Sequence, residues 1–497
     1  MKSSGKALPL LGILLVLPFV AAFPELRRNS ACFDEPMHLP LGAAALEKGW
    51  WDLAPSSPPL APIVQYIHVE GDLSLPDEKP AGAYPLAFHV LQRQKGHYQD
   101  VLTQARCGSL WIFFSLALLT GVMAQRLWGT GLAALAVMMV MSPVVAHAFL
   151  LGTDLMFTLG FMGGVWSLRA TWLRQGLWPL AAGVIALATL GKFTAAILWP
   201  ALMLILVLKR QWSGLVLSHL LALGVIHAFY GFPMDGVLPG GFMASFDKLR
   251  ELMAAPRGGY FLGEARADHP LAYFPMLVLL KTPLPVLAMF LLLAPHGGHF
   301  RSRSFLALIL AVAGYWLFMV GSNAMLLGDR FILPAFVVLA MAVSIASLGR
   351  FRWAFWALWA VAGVELSLDR GGPVGRFNQL LWTEPERVFA DSAVDWGQDL
   401  VRLRQWQEGQ AVSVPLKVFC WGLVPPETYG IHTSMLSPPV AGDWVAVSRN
   451  LLAGSGASIP TPKGFAVVPA GTFSGFAERA RRVAEVGHGL IIFEVTP

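Results

Sequence analysis

Apolar runs recur along the chain as far as residue 368, at about 108–124, 131–151, 155–172, 177–190 and 193–208, then 213–232, 271–294, 305–321, 331–348 and 353–368. In lipid a helix satisfies its own backbone polar groups, and a helical span needs roughly 17–25 residues. Several runs are short, and 177–208 reads as one tight hairpin. The stretch from Met1 to Phe23 carries Lys2 and Lys6, an apolar run and Ala21-Ala22-Phe23. A cleaved signal peptide has that pattern, but an uncleaved first helix fits better ahead of so many further spans. It brings the expected count to eleven and leaves the N-terminus cytoplasmic.

Charge supports the threading. Only 13% of the 497 residues are charged and 56% are hydrophobic, against about 25% charged in soluble domains. The net charge of +6 does not indicate nucleic acid, because the basic residues stand singly between apolar runs and form no phosphate-tracking stripe. Arg126, then Arg169 and Arg174, Lys209 and Arg210, Arg301 and Arg303, and Arg350 and Arg352 fall in every second loop. That alternation is the positive-inside rule for a multi-pass protein of the inner (plasma) membrane. An odd number of spans puts the C-terminus outside the cytoplasm.

The outer segments are then 24–106, the turn Leu151-Gly152-Thr153-Asp154, Gly191-Lys192, about 233–270, Ser322 to Arg330, and the tail from 369. The first is too long for a connector. Its Leu39, Leu41, Leu46, Trp50, Trp51, Ile63 and Ile67 suggest amphipathic helices on the membrane surface. In the tail, β-rich stretches at Pro415 to Cys420, Trp444 to Val447, Phe465 to Val468 and Leu490 to Val495 alternate with helical ones at Gly397 to Glu408 and Phe476 to Val486. The expected division is a transmembrane catalytic domain over 1–368 and a small extracytoplasmic α/β domain over 369–497. Cys32, Cys107 and Cys420 show no metal-ligand spacing. Cys32 and Cys107 bracket the first loop, where an oxidising compartment would permit a disulfide; the plainer reading is two small buried residues.

The ionisable residues of interest share the outer side. In Phe33-Asp34-Glu35-Pro36-Met37-His38-Leu39, Asp34 and His38 face the same way if the segment is helical; Asp34 is also placed to cap that helix. Asp154 stands at the outer end of a span, where an unpaired carboxylate is costly, or else caps the helix that follows. Two such carboxylates can divide base and positioning roles or hold one hard divalent cation. Lys192 and Arg330 lie on the side that the orientation rule disfavours for cations; there they can pair with Asp154 or Asp329 or bind a lipid phosphate. Lys281 falls midway along an apolar run, where it either snorkels or is brought to a cavity by kinks at Pro283 and Pro285. Glu264, with Arg266, is a weaker binding candidate. Pro58-Pro59-Leu60 fixes an extended segment and a helix start.

These residues resemble a known family. Asp34-Glu35-Pro36-x-His38-Leu39, then Gly42, Leu46, Gly49 and Pro58-Pro59-Leu60, are similar to the first-loop signature of bacterial GT-C glycosyltransferases. The relevant group is the protein O-mannosyltransferase clan that includes the lipid A aminoarabinose transferase. Thr153-Asp154, Gly191-Lys192-Phe193, Tyr273-Phe274-Pro275, Lys281-Thr282-Pro283-Leu284-Pro285, Arg330-Phe331-Ile332-Leu333-Pro334 and Asp391-Ser392-x-x-Asp395-Trp396-Gly397-Gln398-Asp399-Leu400 look like the same group, in order. The resemblance implies a GT-C fold and a sugar donor carried on a polyprenyl phosphate. It implies Asp34 as base, Asp154 placing substrates or a metal ion, and Lys192 and Arg330 meeting the donor phosphate; Glu35, adjacent to the base, is expected in support. His38, Lys281 and Glu264 are expected near the substrates, and the acceptor is not given. The rival from another class is a transporter or lipid flippase, whose pathway would also carry intramembrane charges; the two halves of the chain show no internal repeat in its favour.

Overall fold

The computed structural model describes residues 16–496 apart from 54–55, 234, 255–258, 267–269, 301, 322–326, 382, 411–413 and 462–463. Residues 1–15 of the first apolar stretch, with Lys2 and Lys6, and 322–326 of the expected outer turn lie outside the described residues. The apolar runs form helices that bury one continuous core, including Phe113, Phe149, Phe157, Phe161, Val286 and Phe336. Among the described residues, four helices are long and apolar enough to cross a membrane: Tyr98–Trp128, Trp212–Phe229, Arg303–Gly321 and Asp329–Leu348. Counting each sharply bent pair as one span raises that to six, and Gln175–Gly191 and Phe193–Leu208 are shorter apolar segments.

Two expected spans are broken rather than straight. The run at 131–151 is two helices, Gly131–Met138 and Ser142–Ala148, bent by 68°, and Tyr273–Lys281 meets Leu284–Leu293 at 100°. The second break follows from Pro283. A residue before proline is driven out of the helical region, and Thr282 has ψ 130°, ending the helix at Lys281.

The first loop also departs from expectation. Helix Ala83–Arg93 keeps one buried face, but helix Glu35–Lys48 is no surface amphipath, because ten of its fourteen residues are buried. It packs closely on helix Leu60–Tyr66, and a side chain at Gly42 would lie 2.4 Å from the Pro62 carbonyl oxygen. Its Leu39 and Ala43 belong to the same hydrophobic cluster as Val418, Val447 and Ile492 of the C-terminal sheet. The loop is thus held between bundle and sheet.

That sheet has four strands in the order Leu416–Phe419, Trp444–Ser448, Leu490–Val495, Ala480–Val486. The first two are parallel and the other neighbours antiparallel. A separate hairpin pairs Ala457–Thr461 with Gly464–Val468. Helix Leu400–Glu408 falls where a helix was expected. Residues 480–486 do not: they form an edge strand against Leu490–Val495. Gly487, at φ +61°, turns the chain back, and cross-strand pairing overrides the helical tendency of Ala480-Arg481-Arg482.

The stretch Asp395-Trp396-Gly397-Gln398-Asp399 stitches these parts together. Ser30 N donates to the Gln398 carbonyl at 2.9 Å and Phe33 N to that of Trp396 at 2.8 Å. Ser30 Oγ donates to Gly397 O at 2.6 Å and accepts from Leu400 N at 2.8 Å. Gly397 has φ +95°, and any side chain there would lie 2.6 Å from Trp421 O. Arg402 ties Glu25 to Asp399. Asp395 accepts from Gly397 N at 2.9 Å and from Ser448 Oγ, and burial pushes its carboxyl up to about 7.

A carboxyl whose pKa is raised from 3.8 to about 7 on folding binds more protons folded than unfolded. Stability is therefore highest below about pH 4 for this group and falls as pH rises towards 7. Thermal unfolding in detergent between pH 4 and 8 should show that fall, and Asp395→Asn should flatten it.

Candidate active site

Segments far apart in sequence converge on one cavity of about 870 Å³ at the end of the bundle nearest the C-terminal sheet. Asp34 and His38 line it from the start of the first-loop helix, Thr153 and Asp154 from the head of helix Asp154–Leu173, and Lys192 and Thr194 from a break between helices. Arg330 and Phe331 enter from the turn before helix Leu333–Ser344, and Asp391, Trp396 and Trp421 from the C-terminal region. The rest of the lining is largely apolar, with Phe246, Leu249, Leu252, Met253 and Phe318, and Lys248 among them.

The capping readings of the two aspartates do not describe them. Asp34 occupies the position before helix Glu35–Lys48 without a side-chain cap bond, and its carboxylate instead receives Arg330 Nη1. Asp154, 4% exposed, receives Lys192 Nζ. Lys192 reaches it because its own backbone is extended, at φ −163° and ψ 129°, between helix Trp178–Gly191 and the 3₁₀ turn Phe193–Leu198. Its ammonium also lies 4.7 Å from the Phe331 ring centre. Two carboxylate–cation pairs thus face one space, and both are largely withdrawn from water.

Arg330 is aimed by its neighbours. Gly328, at φ +73°, could not carry a side chain, which would lie 2.8 Å from Ala393 N and 2.9 Å from Ser392 Oγ. Asp329 is buried and faces Lys281 Nζ at 3.7 Å. With that residue turned inwards, Arg330 points to the cavity, 4.8 Å from the Trp396 ring. Lys281 therefore supports the site from behind. It does not line the cavity; its ammonium donates to Val374 O at 2.9 Å and lies 4.5 Å from the Phe377 ring. The kink at Pro283 turns it towards these groups, not towards the cavity.

The remaining candidates separate. Glu264 is exposed on a short hairpin strand, 3.2 Å from Arg266 and away from the cavity wall. Glu35 is fully buried in a two-pronged pair with Arg106, at 2.9 and 2.6 Å. It also accepts from Cys32 N at 2.8 Å and Leu151 N at 2.7 Å, so its oxygens are committed to structure. His38 lines the cavity with Nδ1 buried and bonded to no group among the described residues. Burial lowers its pKa against the pull of Asp34 and Asp154, which favours the neutral ring. Cys32 and Cys107 are both free. Pro58 lies in the cavity wall, as a scaffold for the loop should.

A divalent cation on Asp34 and Asp154 does not fit these surroundings. Each carboxylate already has a basic partner, and among the described residues no group of three or more His, Cys, Asp or Glu side chains is arranged to hold a metal ion. Asp391 and the tryptophans were not singled out from sequence. Asp391 and Trp396 belong to the motif that carries the family resemblance but were not among the site candidates, and only the tertiary fold carries them to the cavity.

No protein-family model and no curated protein matches the chain. Among solved structures it is similar to ArnT from Cupriavidus metallidurans in the apo state, at 15% identity and a TM-score of 0.49. It is also similar to the same protein bound to undecaprenyl phosphate, at 14% identity and a TM-score of 0.47. Each match covers 72% of this chain and 63% of the other, so the chain spans less than two thirds of those proteins. At such values the functional reading rests on the cavity itself.

Replacing Glu35 by Gln keeps the side-chain shape but leaves Arg106 buried without its counter-charge. Breaking a buried pair in this way costs about 3–5 kcal/mol. Thermal unfolding of the purified protein should show a clear loss of stability, larger than that for Glu264→Gln on the exposed hairpin.

Proposed function

We propose that the chain is a membrane glycosyltransferase that moves a sugar from a polyprenyl-phosphate donor to an acceptor hydroxyl on the extracytoplasmic side, with inversion at the anomeric carbon. The observation that carries this reading is the pairing of two carboxylates with two cations in a cavity whose lining is otherwise largely apolar. An apolar lining suits a lipid chain, cations suit its phosphate, and a carboxylate beside them suits proton removal. No Gly-rich strand-to-helix fingerprint for a sugar nucleotide is present in the sequence.

In this mechanism the donor phosphate binds at Lys192 and Arg330 and displaces Arg330 from Asp34. Asp34 takes the proton of the acceptor hydroxyl, whose oxygen forms the new bond to the anomeric carbon. The bond from that carbon to the phosphate oxygen breaks on the opposite face, and the electron pair leaves with the phosphate. Lys192 and Arg330 stabilise the charge that develops there, in a site with little water to screen it. Asp154 holds Lys192 in place.

A positioned base contributes typically 10²–10⁴-fold to rate. In proteoliposomes supplied with labelled polyprenyl-phosphate sugars and an envelope extract as acceptor, Asp34→Asn should lose at least about 10²-fold of transfer while still binding donor. Normal turnover by that variant would refute the assignment. Lys192→Ala and Arg330→Ala should each weaken donor binding, and unchanged affinity would remove them from the phosphate site.

A further inference from the structure

Asp391 is the carboxylate in this cavity that the proposed chemistry leaves without a task. It lines the same space as Asp34, Asp154, Lys192 and Arg330. Those two aspartates each hold a cation, whereas Asp391 makes no ion pair among the described residues. One of its oxygens accepts from Ser392 N at 2.6 Å. Its backbone is held at φ +65°, a left-handed conformation uncommon outside glycine and maintained only where the surroundings enforce it.

Those surroundings tie it to Arg330. Ser392 Oγ donates to the Leu327 carbonyl at 2.8 Å, and the close approach of Gly328 to Ser392 and Ala393 locks the two turns together. Asp391 is within electrostatic reach of the guanidinium: burial raises its pKa and Arg330 draws it back down. Arg330 Nε is buried and bonded to no group among the described residues. A guanidinium presents five donors in a planar fork, so the edge turned from Asp34 still needs an acceptor.

We propose that Asp391 is a positioning residue for transfer, accepting the free edge of Arg330 when the substrates draw that guanidinium off Asp34. The inference rests on the reading of Asp34 as base. With the donor phosphate on one edge of the guanidinium, the other edge would be left without an acceptor in a partly dry cavity, and an unsatisfied buried donor is unfavourable. Asp391 removes that obstacle, and the Trp396 ring supports the guanidinium from its face. The C-terminal segment thereby acts on the base indirectly, by deciding where Arg330 rests.

The test is a double-mutant cycle in proteoliposomes with labelled polyprenyl-phosphate sugars and envelope extract. Asparagine accepts left-handed backbone readily, so Asp391→Asn preserves the turn. It should lower kcat roughly tenfold with the donor KM little changed, and Asp391→Glu should recover part of the loss. In an Arg330→Gln background the same substitution should have almost no effect. Losses that multiply independently in the two backgrounds would overturn the proposal, as would an unchanged kcat for Asp391→Asn. Absence of transfer by the unmodified protein would instead bring down the underlying reading, and the positioning role with it.

Discussion

The buried Glu35–Arg106 pair is the interaction on which the rest of the site depends. Arg106 comes from the long helix Tyr98–Trp128 and donates to the carbonyls of Leu26, Asn29 and Ser30 as well as to Glu35. Glu35 in turn fixes the backbone N–H groups of Cys32 and Leu151. One side of this cluster sets the residue before it, Asp34. The other sets the turn that leads, three residues after Leu151, to Asp154. A single sealed charge pair therefore holds Asp34 and Asp154 in register. Such pairs add little net stability but fix geometry, because no looser arrangement satisfies all their donors and acceptors.

Around this anchor the charges fall into two layers. Glu35–Arg106 and Asp329–Lys281 lie behind the wall and orient backbone, while Asp34–Arg330 and Asp154–Lys192 face the cavity. The inner pairs are sheltered from solvent and from ligand. The outer pairs are open to exchange partners with an incoming anion, since their oxygens and nitrogens are not saturated by backbone bonds in the way that those of Glu35 are. The chemistry assigned to the cavity needs that difference.

Much of the site was legible because charge beside lipid needs a reason. Asp154, Lys192 and Arg330 stood out as isolated ionisable residues at the ends of apolar runs, and the structure brings all three to the cavity with Asp34. Which layer a charge joins was not legible. Glu35 and Asp34 are adjacent yet point into different environments, and the direction in which Pro283 turns Lys281 depends on what packs behind it. Asp391 was hidden for a different reason: nothing local to residues 391–399 says that they lie against residues 327–330. The broken spans show the same limit. Apolar runs reveal where lipid or core is tolerated, but the bends at 139–141 and 282–283 come from backbone geometry that hydropathy does not record. For 480–486, pairing with the strand Leu490–Val495 decided the conformation.

The seam between residues 29–33 and 396–400 joins the beginning of the chain to its last quarter, across a separation of 367 residues at Ser30 and Gly397. Synthesis runs from the N-terminus, and early segments fold before later ones exist. The first loop must wait, after most of the bundle has been made, for the strand of backbone that completes its hydrogen bonds. Until then Asp391 and Trp396 are missing from the cavity wall and Asp34 stands at an unfinished rim. The cavity end is consequently the last part of the molecule to mature, and a chain cut short before residue 391 has a helical body without a finished cavity.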